Sequence, residues 1–297
     1  MTISSTFDLL MERVGAGERL EADDLAHLSA SADILQLGML ADTVRRRLHG
    51  AQVTYVRIAA CPFDKSFTDS VPLAAREVRV TGSPESLEIA LTAVEAARAV
   101  AGDRAVSAFS WLDVERLAAS TRVSDVVERL RRAGLDSLAE IPLDRIADPP
   151  KVLEALVSAG YNQIRLTIDK AAADARVKLF IAAAALQDAF PSIRSINPLP
   201  TTLDALRPTT GYDDVKSVAI ARLAAPDIPT VQVDWVRYGP KLAQVALTFG
   251  ADDIDNVSAS DEAPDGRRRA PLEEVRRNIQ AAGLEPAERD GRFALVS

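Results

Sequence analysis

The residues of this chain that could do chemistry are mainly carboxylates and arginines. Arg57, Glu140, Arg165 and Asp234 each interrupt or close an otherwise apolar run, and Asp252, Asp253 and Asp255 share one short stretch. Carboxylates spaced as in that stretch could hold a hard cation through oxygen. Extended geometry, however, sends Asp253 and Asp255 to one side and Asp252 to the other, so a helix cap or a strand-end salt bridge is the plainer use. Nucleophilic chemistry is thinly provided for. The chain has one cysteine, Cys61, and two histidines, His27 and His49, both in its N-terminal part. One cysteine excludes an internal disulfide and any multi-cysteine zinc site. Without a partner, Cys61 reads as a buried thiol rather than a nucleophile. A histidine general base would have to be His27 or His49, both on helices ahead of the candidate site residues, where packing or surface roles are the ordinary ones. The turn Tyr238-Gly239-Pro240-Lys241 could offer backbone N–H groups to an anion or be a plain tight turn. The Arg45-Arg46-Arg47 run reads as a solvated helix end.

Positioning such groups requires a scaffold, and the hydrophobic pattern specifies one. Residues 6–49 read as two or three amphipathic helices. From residue 52 short strands alternate with helices. The strands are expected at 53–59, 77–81, 104–109, 135–139, 162–168, 193–197, 230–235 and 252–256. Helix starts are expected at Ser83-Pro84-Glu85, at Ser124, at Pro149-Pro150, after Asp169 and after Gly211. Eight such repeats predict an α/β fold, a (β/α)8 TIM-barrel-like architecture, degenerate around its first βα unit, where CPFDKSFTDSVPLAAR contains no good helix. A doubly wound sheet is the alternative, but no G-x-G-x-x-G follows the first strand. Residues 1–50 form an N-terminal helical extension and 51–297 the barrel, together one domain. The segment 258–270 reads as a mobile loop, followed by a helix at 271–282 and a short strand at 292–296.

In a barrel, function gathers at the C-terminal ends of the strands. Arg57, Thr81, Ser83, Ser110, Glu140, Thr167, Asp169, Asn197, Asp234, Arg237, Asp252, Asp253 and Asp255 are expected there, with Arg57, Glu140, Arg165 and Asp234 pointing inward from strand ends. Ligand contact is one use of such charges, and mutual neutralisation inside the barrel is the other.

With 297 residues, 47% of them hydrophobic, the chain can bury a full core. A formal net charge of −8 argues against a nucleic-acid partner. No apolar run approaches the ~18 residues of a membrane span, and the acidic start MTISSTFDLLMERV has no signal-peptide pattern, so a cytoplasmic protein is expected.

The stretch PTVQVDWVRYGPKLAQVALTFGADDIDN, residues 229–256, closely resembles the C-terminal barrel segment of the radical S-adenosylmethionine (SAM) enzymes of the futalosine route to menaquinone, aminofutalosine synthase and its cyclase relative. The similarity extends to residues 17–56, to AFSWLDVERLA (108–118), to VVERLRRAGLDSLAE (126–140), to 211–235 and to ERDGRFALV (288–296). The resemblance implies a barrel, SAM, and a 4Fe–4S cluster held by a C-x3-C-x2-C motif. Phe67, Val71 and Ala74 stand roughly where those cysteines belong, and Cys61 matches none of the three. The helix after the cluster loop is missing. The family's SAM-contacting glycine turn corresponds to Thr81-Gly82-Ser83-Pro84, and the turn before a family glutamate has become Ser137-Leu138-Ala139-Glu140.

These departures lead to the expectation of a protein without a cluster or other cofactor, with SAM or a related nucleoside as at most a residual ligand. Such a protein would be a pseudoenzyme, a ligand-binding scaffold or a partner of a cluster-bearing homologue; a homodimer is the other assembly expected. The alternatives are acid–base chemistry on a nucleoside or aromatic acid at the barrel mouth, and radical chemistry with cysteines lent by another chain. The ligand-binding candidates are Arg57, Thr81, Gly82, Ser83, Glu140, Arg165, Asn197 and Asp234, with no catalytic residue and no metal ligand assigned.

Overall fold

The computed structural model of the chain describes residues 3–64, 71–202, 209–263 and 269–296. Eight parallel strands form the barrel: β1 (Gln52–Pro62), β2 (Glu77–Thr81), β3 (Ala105–Ser110), β4 (Ser137–Pro142), β5 (Ile164–Ile168), β6 (Ile193–Pro200), β7 (Thr230–Asp234) and β8 (Asp253–Ser258). Each pairs with the next, β8 pairs with β1, and β1 pairs with β2, so the sheet closes on itself. The (β/α)8 expectation is correct.

A ninth strand, β9 (Glu285–Glu288), adds to the closure. The first half of β1, Gln52 to Tyr55, pairs with β9, and the later residues Ile58 to Pro62 pair with β2. The two share one edge of β1, so β9 wedges into the lower part of the β1/β2 seam. The sequence reading put the last strand at 292–296. There only an isolated antiparallel bridge, Arg289 to Leu295, is found, because the residues after β9 turn into the barrel floor.

The outer layer comprises α4 (Leu87–Ala101), α5 (Trp111–Leu117), α6 (Val123–Arg132), α7 (Pro149–Ser158), α8 (Ala173–Ala189), α9 (Gly211–Ala224), α10 (Trp235–Leu247) and α11 (Pro271–Ala281). Before the barrel come α1 (Ile3–Ala16), α2 (Ala22–Ala30) and α3 (Ile34–His49), with α3 lying along α9. Buried Val78, Val80, Val106, Ala90, Val94, Ala97, Val126, Val127 and Leu130 fill one sector of the space between strands and helices. No described helix is long and apolar enough to cross a membrane.

Three helix starts differ from the sequence reading. The cap of α4 is Ser86, whose side chain accepts from the Ile89 amide, while the chain bends at Gly82, and Ser83 and Pro84 lie ahead of the helix. Ser124 lies inside the first turn of α6, after Arg122. Helix α8 begins only at Ala173, which frees Asp169 for another use. Gly82 has φ +96°, and a Cβ added there would lie 2.6 Å from the Phe63 ring. Gly82→Ala is therefore expected to cost about 1–3 kcal/mol in a urea melt, and an unchanged midpoint would mean that this bend relaxes freely.

Candidate functional site

The strands alternate polar and apolar residues, as in Glu77-Val78-Arg79-Val80-Thr81, and hydrogen bonds across the barrel identify the polar set as the inward one. At the lower end Glu77 accepts from Arg79 (2.7 Å) and Arg165 (2.8 Å), and Arg79 reaches on to Asp255 (2.8 Å). Arg289, just after β9, grips Asp253 through two hydrogen bonds of 2.6 and 2.7 Å. These three carboxylates and three guanidiniums balance in charge. Burial pushes the Glu77 carboxyl up, but Arg165 and Arg79 outweigh it and hold the group well below the ordinary carboxylate range. The tail closes the floor beneath them. The Gly291 carbonyl accepts from Arg165 (3.0 Å), and the Phe293 ring lies 4.3 Å from the Arg289 guanidinium and 5.4 Å from that of Arg165. A side chain at Gly291 would meet Ala105 at 2.7 Å.

Arg165, a residue the sequence reading placed at the strand ends, therefore sits at the floor. Arg57 lies at the β1/β9 seam, donating to Glu288 at 2.6 Å. Asp252 belongs to neither end: it pairs with Arg222 outside the barrel and lies 3.4 Å from His49, whose Nε2 donates to the Pro229 carbonyl (2.8 Å). Each aspartate of the Asp252, Asp253, Asp255 trio is thus held by an arginine.

The opposite end carries a cavity of about 220 Å³ lined by Ser110, Leu112, Glu140, Pro142, Asp169, Thr201, Thr202 and Arg237. Every wall is a strand end or the loop or first helical turn that follows it, which is where the fold gathers groups from separate parts of the chain. Ser110 ends β3, stands in register with Glu140, and caps α5 in a reciprocal box with Asp113. Asp144 accepts from the amides of Asp169, Lys170 and Ala171 at 2.7, 2.8 and 2.9 Å, which holds the loop after β5. Asp169 itself accepts from the Thr202 hydroxyl at 2.5 Å. Arg237, in the first turn of α10, donates to Glu140 at 3.0 Å. Burial alone would ease its proton off, but Glu140 and Asp234 reverse this, and its pKa rises above the usual arginine value. One fixed cation, two carboxylates and three hydroxyls thus surround a small space. They can orient a small polar molecule, binding a carboxylate through Arg237 and hydroxyl or ammonium groups through the acids.

Of the eight candidates, Glu140 lines this cavity. Thr81, Gly82 and Ser83, at the end of β2, are not among its lining residues; Ser83 hydrogen-bonds Asp113, the partner of Ser110 in the cap of α5. Asn197 accepts from the Leu199 amide, and Asp234 caps α10 by accepting from the Arg237 amide (2.8 Å). The cavity residues absent from the candidate set include Asp169 and Arg237, both recognisable as residues following a strand, and Thr201 and Thr202, which carry no motif.

A larger cavity of about 670 Å³ lies away from the strand ends, between α2, α8 and α9, where Asp23, Asp174, Asp213, Lys178 and Lys216 share the walls with alanine and aliphatic residues. Its lining includes no group from the strand ends, so the smaller mouth cavity is the better chemical candidate.

The fold and site together define a (β/α)8 barrel with a small polar cavity at its strand ends. Solved structures with the same fold include methylornithine synthase (TM-score 0.66, 14% identity, covering 94% of this chain and 97% of that one) and the [FeFe]-hydrogenase maturase HydG from Carboxydothermus hydrogenoformans (0.66, 12%, covering 98% and 81%). Residues 197–296 match the CofH/MqnC C-terminal region. The 5-amino-6-(D-ribitylamino)uracil–L-tyrosine 4-hydroxyphenyl transferase of Archaeoglobus fulgidus is 27% identical over 86% of this chain and 92% of its own length. The aminodeoxyfutalosine synthase of Thermus thermophilus is 26% identical over 97% and 95%. The resemblance in the sequence is therefore correct, and the chain is related to the CofH and aminodeoxyfutalosine synthase enzymes over nearly its whole length. The alignment with the Thermus enzyme spans 358 positions, more than the 297 residues of this chain, so that relative has segments missing here.

One expectation is corrected by these matches. The sequence reading expected no cofactor, whereas the relatives belong to a group of SAM- and cluster-using enzymes, and the family points toward cofactors. The donors of this chain do not fit a cluster held by three thiolates of its own. Cys61 is the one thiol; its Sγ lies 3.8 Å from the Ala59 carbonyl, and burial pushes its pKa up. Val71 and Ala74 carry no donor side chain, and Phe67 lies outside the described residues.

Proposed function

We propose that this chain is a catalytically degenerate relative of the CofH and futalosine-pathway enzymes, a ligand-binding scaffold whose barrel mouth still takes a small molecule. The observation that supports this reading most is the mouth cavity, where Arg237, Glu140, Asp169 and three hydroxyls converge at five strand ends, in a chain with a single thiol. The ligand class that fits is a nucleoside or small aromatic acid, with a carboxylate facing Arg237 or hydroxyls facing Glu140 and Asp169.

A thermal-shift titration of the purified chain against SAM, 5′-deoxyadenosine and 3-substituted benzoates tests it. A saturable rise in Tm is expected with at least one, since a ligand at a hundredfold excess over Kd adds about 2.7 kcal/mol. Arg237→Gln is expected to weaken carboxylate ligands roughly tenfold and Glu140→Gln hydroxyl-bearing ones by a similar factor. A flat response to the whole panel, with another chain copurifying, would sink the ligand-binding reading and favour partner binding. The second reading, acid–base catalysis, draws on Glu140 and Asp169 lining one cavity. It would show as turnover lost in Glu140→Gln with binding retained.

A further inference from the structure

Beside the end of β7, where Asp234 pairs with Asp255, the backbone of β8 departs from regular pairing. Tyr55 pairs with Ile254 and Arg57 with Val257, so two residues of β8, Asp255 and Asn256, face one residue of β1. This is a β-bulge, a device that re-aims a side chain at a barrel rim. Asn256 has φ +62°, the left-handed region that asparagine tolerates better than most side chains.

The bulge turns the Asn256 amide onto Asp234. Its Nδ2 lies 3.1 and 3.3 Å from the two carboxylate oxygens. An ionised carboxylate only accepts, so the amide nitrogen is the atom facing it. Asp234 accepts in turn from the Arg237 amide at 2.8 Å, yet its other oxygen stays 3.8 Å from the Arg237 guanidinium. That separation leaves the fork to Glu140 at 3.0 Å. Glu140 is half-buried and Asp234 is buried, so Glu140 is the partner that a ligand carboxylate can displace.

We infer that Asn256 is a positioning residue: by engaging both oxygens of Asp234 it keeps the Arg237 fork turned toward the mouth, where it selects a small carboxylate ligand. Without the amide, Asp234 is free to rotate and draw the guanidinium into a closer pair. The inference rests on the mouth being a ligand site, and it specifies the ligand charge and the residue that enforces it.

The test uses the full chain, with sodium benzoate and its neutral isostere benzamide as probes, titrated into the wild type, Asn256→Gly, Asn256→Asp and Arg237→Gln. The wild type is expected to prefer benzoate by roughly tenfold, and Arg237→Gln to erase the preference. Glycine adopts the left-handed backbone readily, so Asn256→Gly is expected to fold and to lose most of the preference while keeping its benzamide affinity. Asn256→Asp sets a second carboxylate against Asp234. It is expected to lose the preference at pH 8 and regain part of it at pH 5, where a shared proton restores the donor. A second readout needs no ligand: the ¹⁵N guanidinium signals of Arg237 are expected to shift in Asn256→Gly, as the fork leaves Glu140 for a closer pair with Asp234. Unchanged signals and an unchanged benzoate preference in Asn256→Gly would overturn the positioning role. If neither probe binds the wild type, the ligand-site reading fails, and the guanidinium signals alone decide whether Asn256 holds Arg237.

Discussion

Arg289→Ala is expected to destabilise the fold by about 3–5 kcal/mol, the usual cost of removing one partner from a buried ion pair. The side chain is 1% exposed, and it supplies both hydrogen bonds of a bidentate pair to the fully buried Asp253. After its removal Asp253 retains donors from Gln232 and Thr54 but loses the cation that pairs with it among the described residues. Against a typical total of about 5–15 kcal/mol, this is a large fraction. Ending the chain after Glu288 removes Arg289, the Gly291 carbonyl that Arg165 uses and the Phe293 ring together, and is expected to abolish folding at 25 °C. Urea unfolding followed by circular dichroism reads both. The double variant Arg289→Met with Asp253→Asn is expected to recover much of the loss, because it takes the uncompensated charge away with its partner. A loss below about 1 kcal/mol in Arg289→Ala would mean that the floor admits water and solvates Asp253.

The barrel was legible because its signals are local: short β-rich runs, glycine stops and helix caps recur along the chain. All eight barrel strands lie close to their expected positions, and β2 coincides with the expected 77–81. The polar interior was harder to read. Barrel interiors are ordinarily packed with branched apolar residues, so the alternation in EVRVT, IRLTI and TVQVD suggests sheets wet on one face until the outer helices are known to cover the apolar side. Strand limits mattered as well. An expected start at 162 sets Arg165 in mid-strand, whereas β5 begins at Ile164 and places Arg165 one residue from the floor.

Sites assembled by closure leave less trace. Glu140 was visible because a lone acid follows an apolar run. Thr201 and Thr202 have no such mark, and they reach the mouth only because β6 returns beside β5, where the Thr201 amide donates to Ile168 and the Thr202 amide to Asp169. Asp169 was read as a helix cap because Asp caps helices well; the stronger competitor was the turn held by Asp144, which delays α8 by three residues. The role of the tail is set wholly by contacts distant in sequence, Arg289 with Asp253 and Gly291 with Arg165 and Ala105, and no periodicity encodes them.

The same floor makes stability depend on acid, and Glu77→Gln is the variant that shows it. Burial raises the Glu77 carboxyl, but Arg165 and Arg79 carry it well below its unfolded value of about 4.3. Asp255 is also lowered, by Arg79 and Arg165 against burial, and Glu288 by its hydrogen bonds from Arg57 and Arg76. For a depressed carboxylate the unfolded chain takes up its proton first as the pH falls. Stability is therefore fully present above the unfolded pKa and drains away as the pH drops through the folded one. Buried Asp214 and Asp252, raised mainly by desolvation, work in the opposite sense and offset part of the loss. Urea midpoints are accordingly expected to be nearly level between about pH 5 and 8 and to fall steeply below about pH 4. Glu77→Gln keeps the shape but leaves Arg79 and Arg165 one carboxylate short. It is expected to cost about 3–5 kcal/mol at pH 7, and its acid limb to be shallower because the group that takes up the proton is gone. Wild-type stability at pH 7 together with the wild-type acid slope in Glu77→Gln would mean that the native floor already holds this carboxyl protonated, and the charge balance of three acids and three arginines would have to be abandoned.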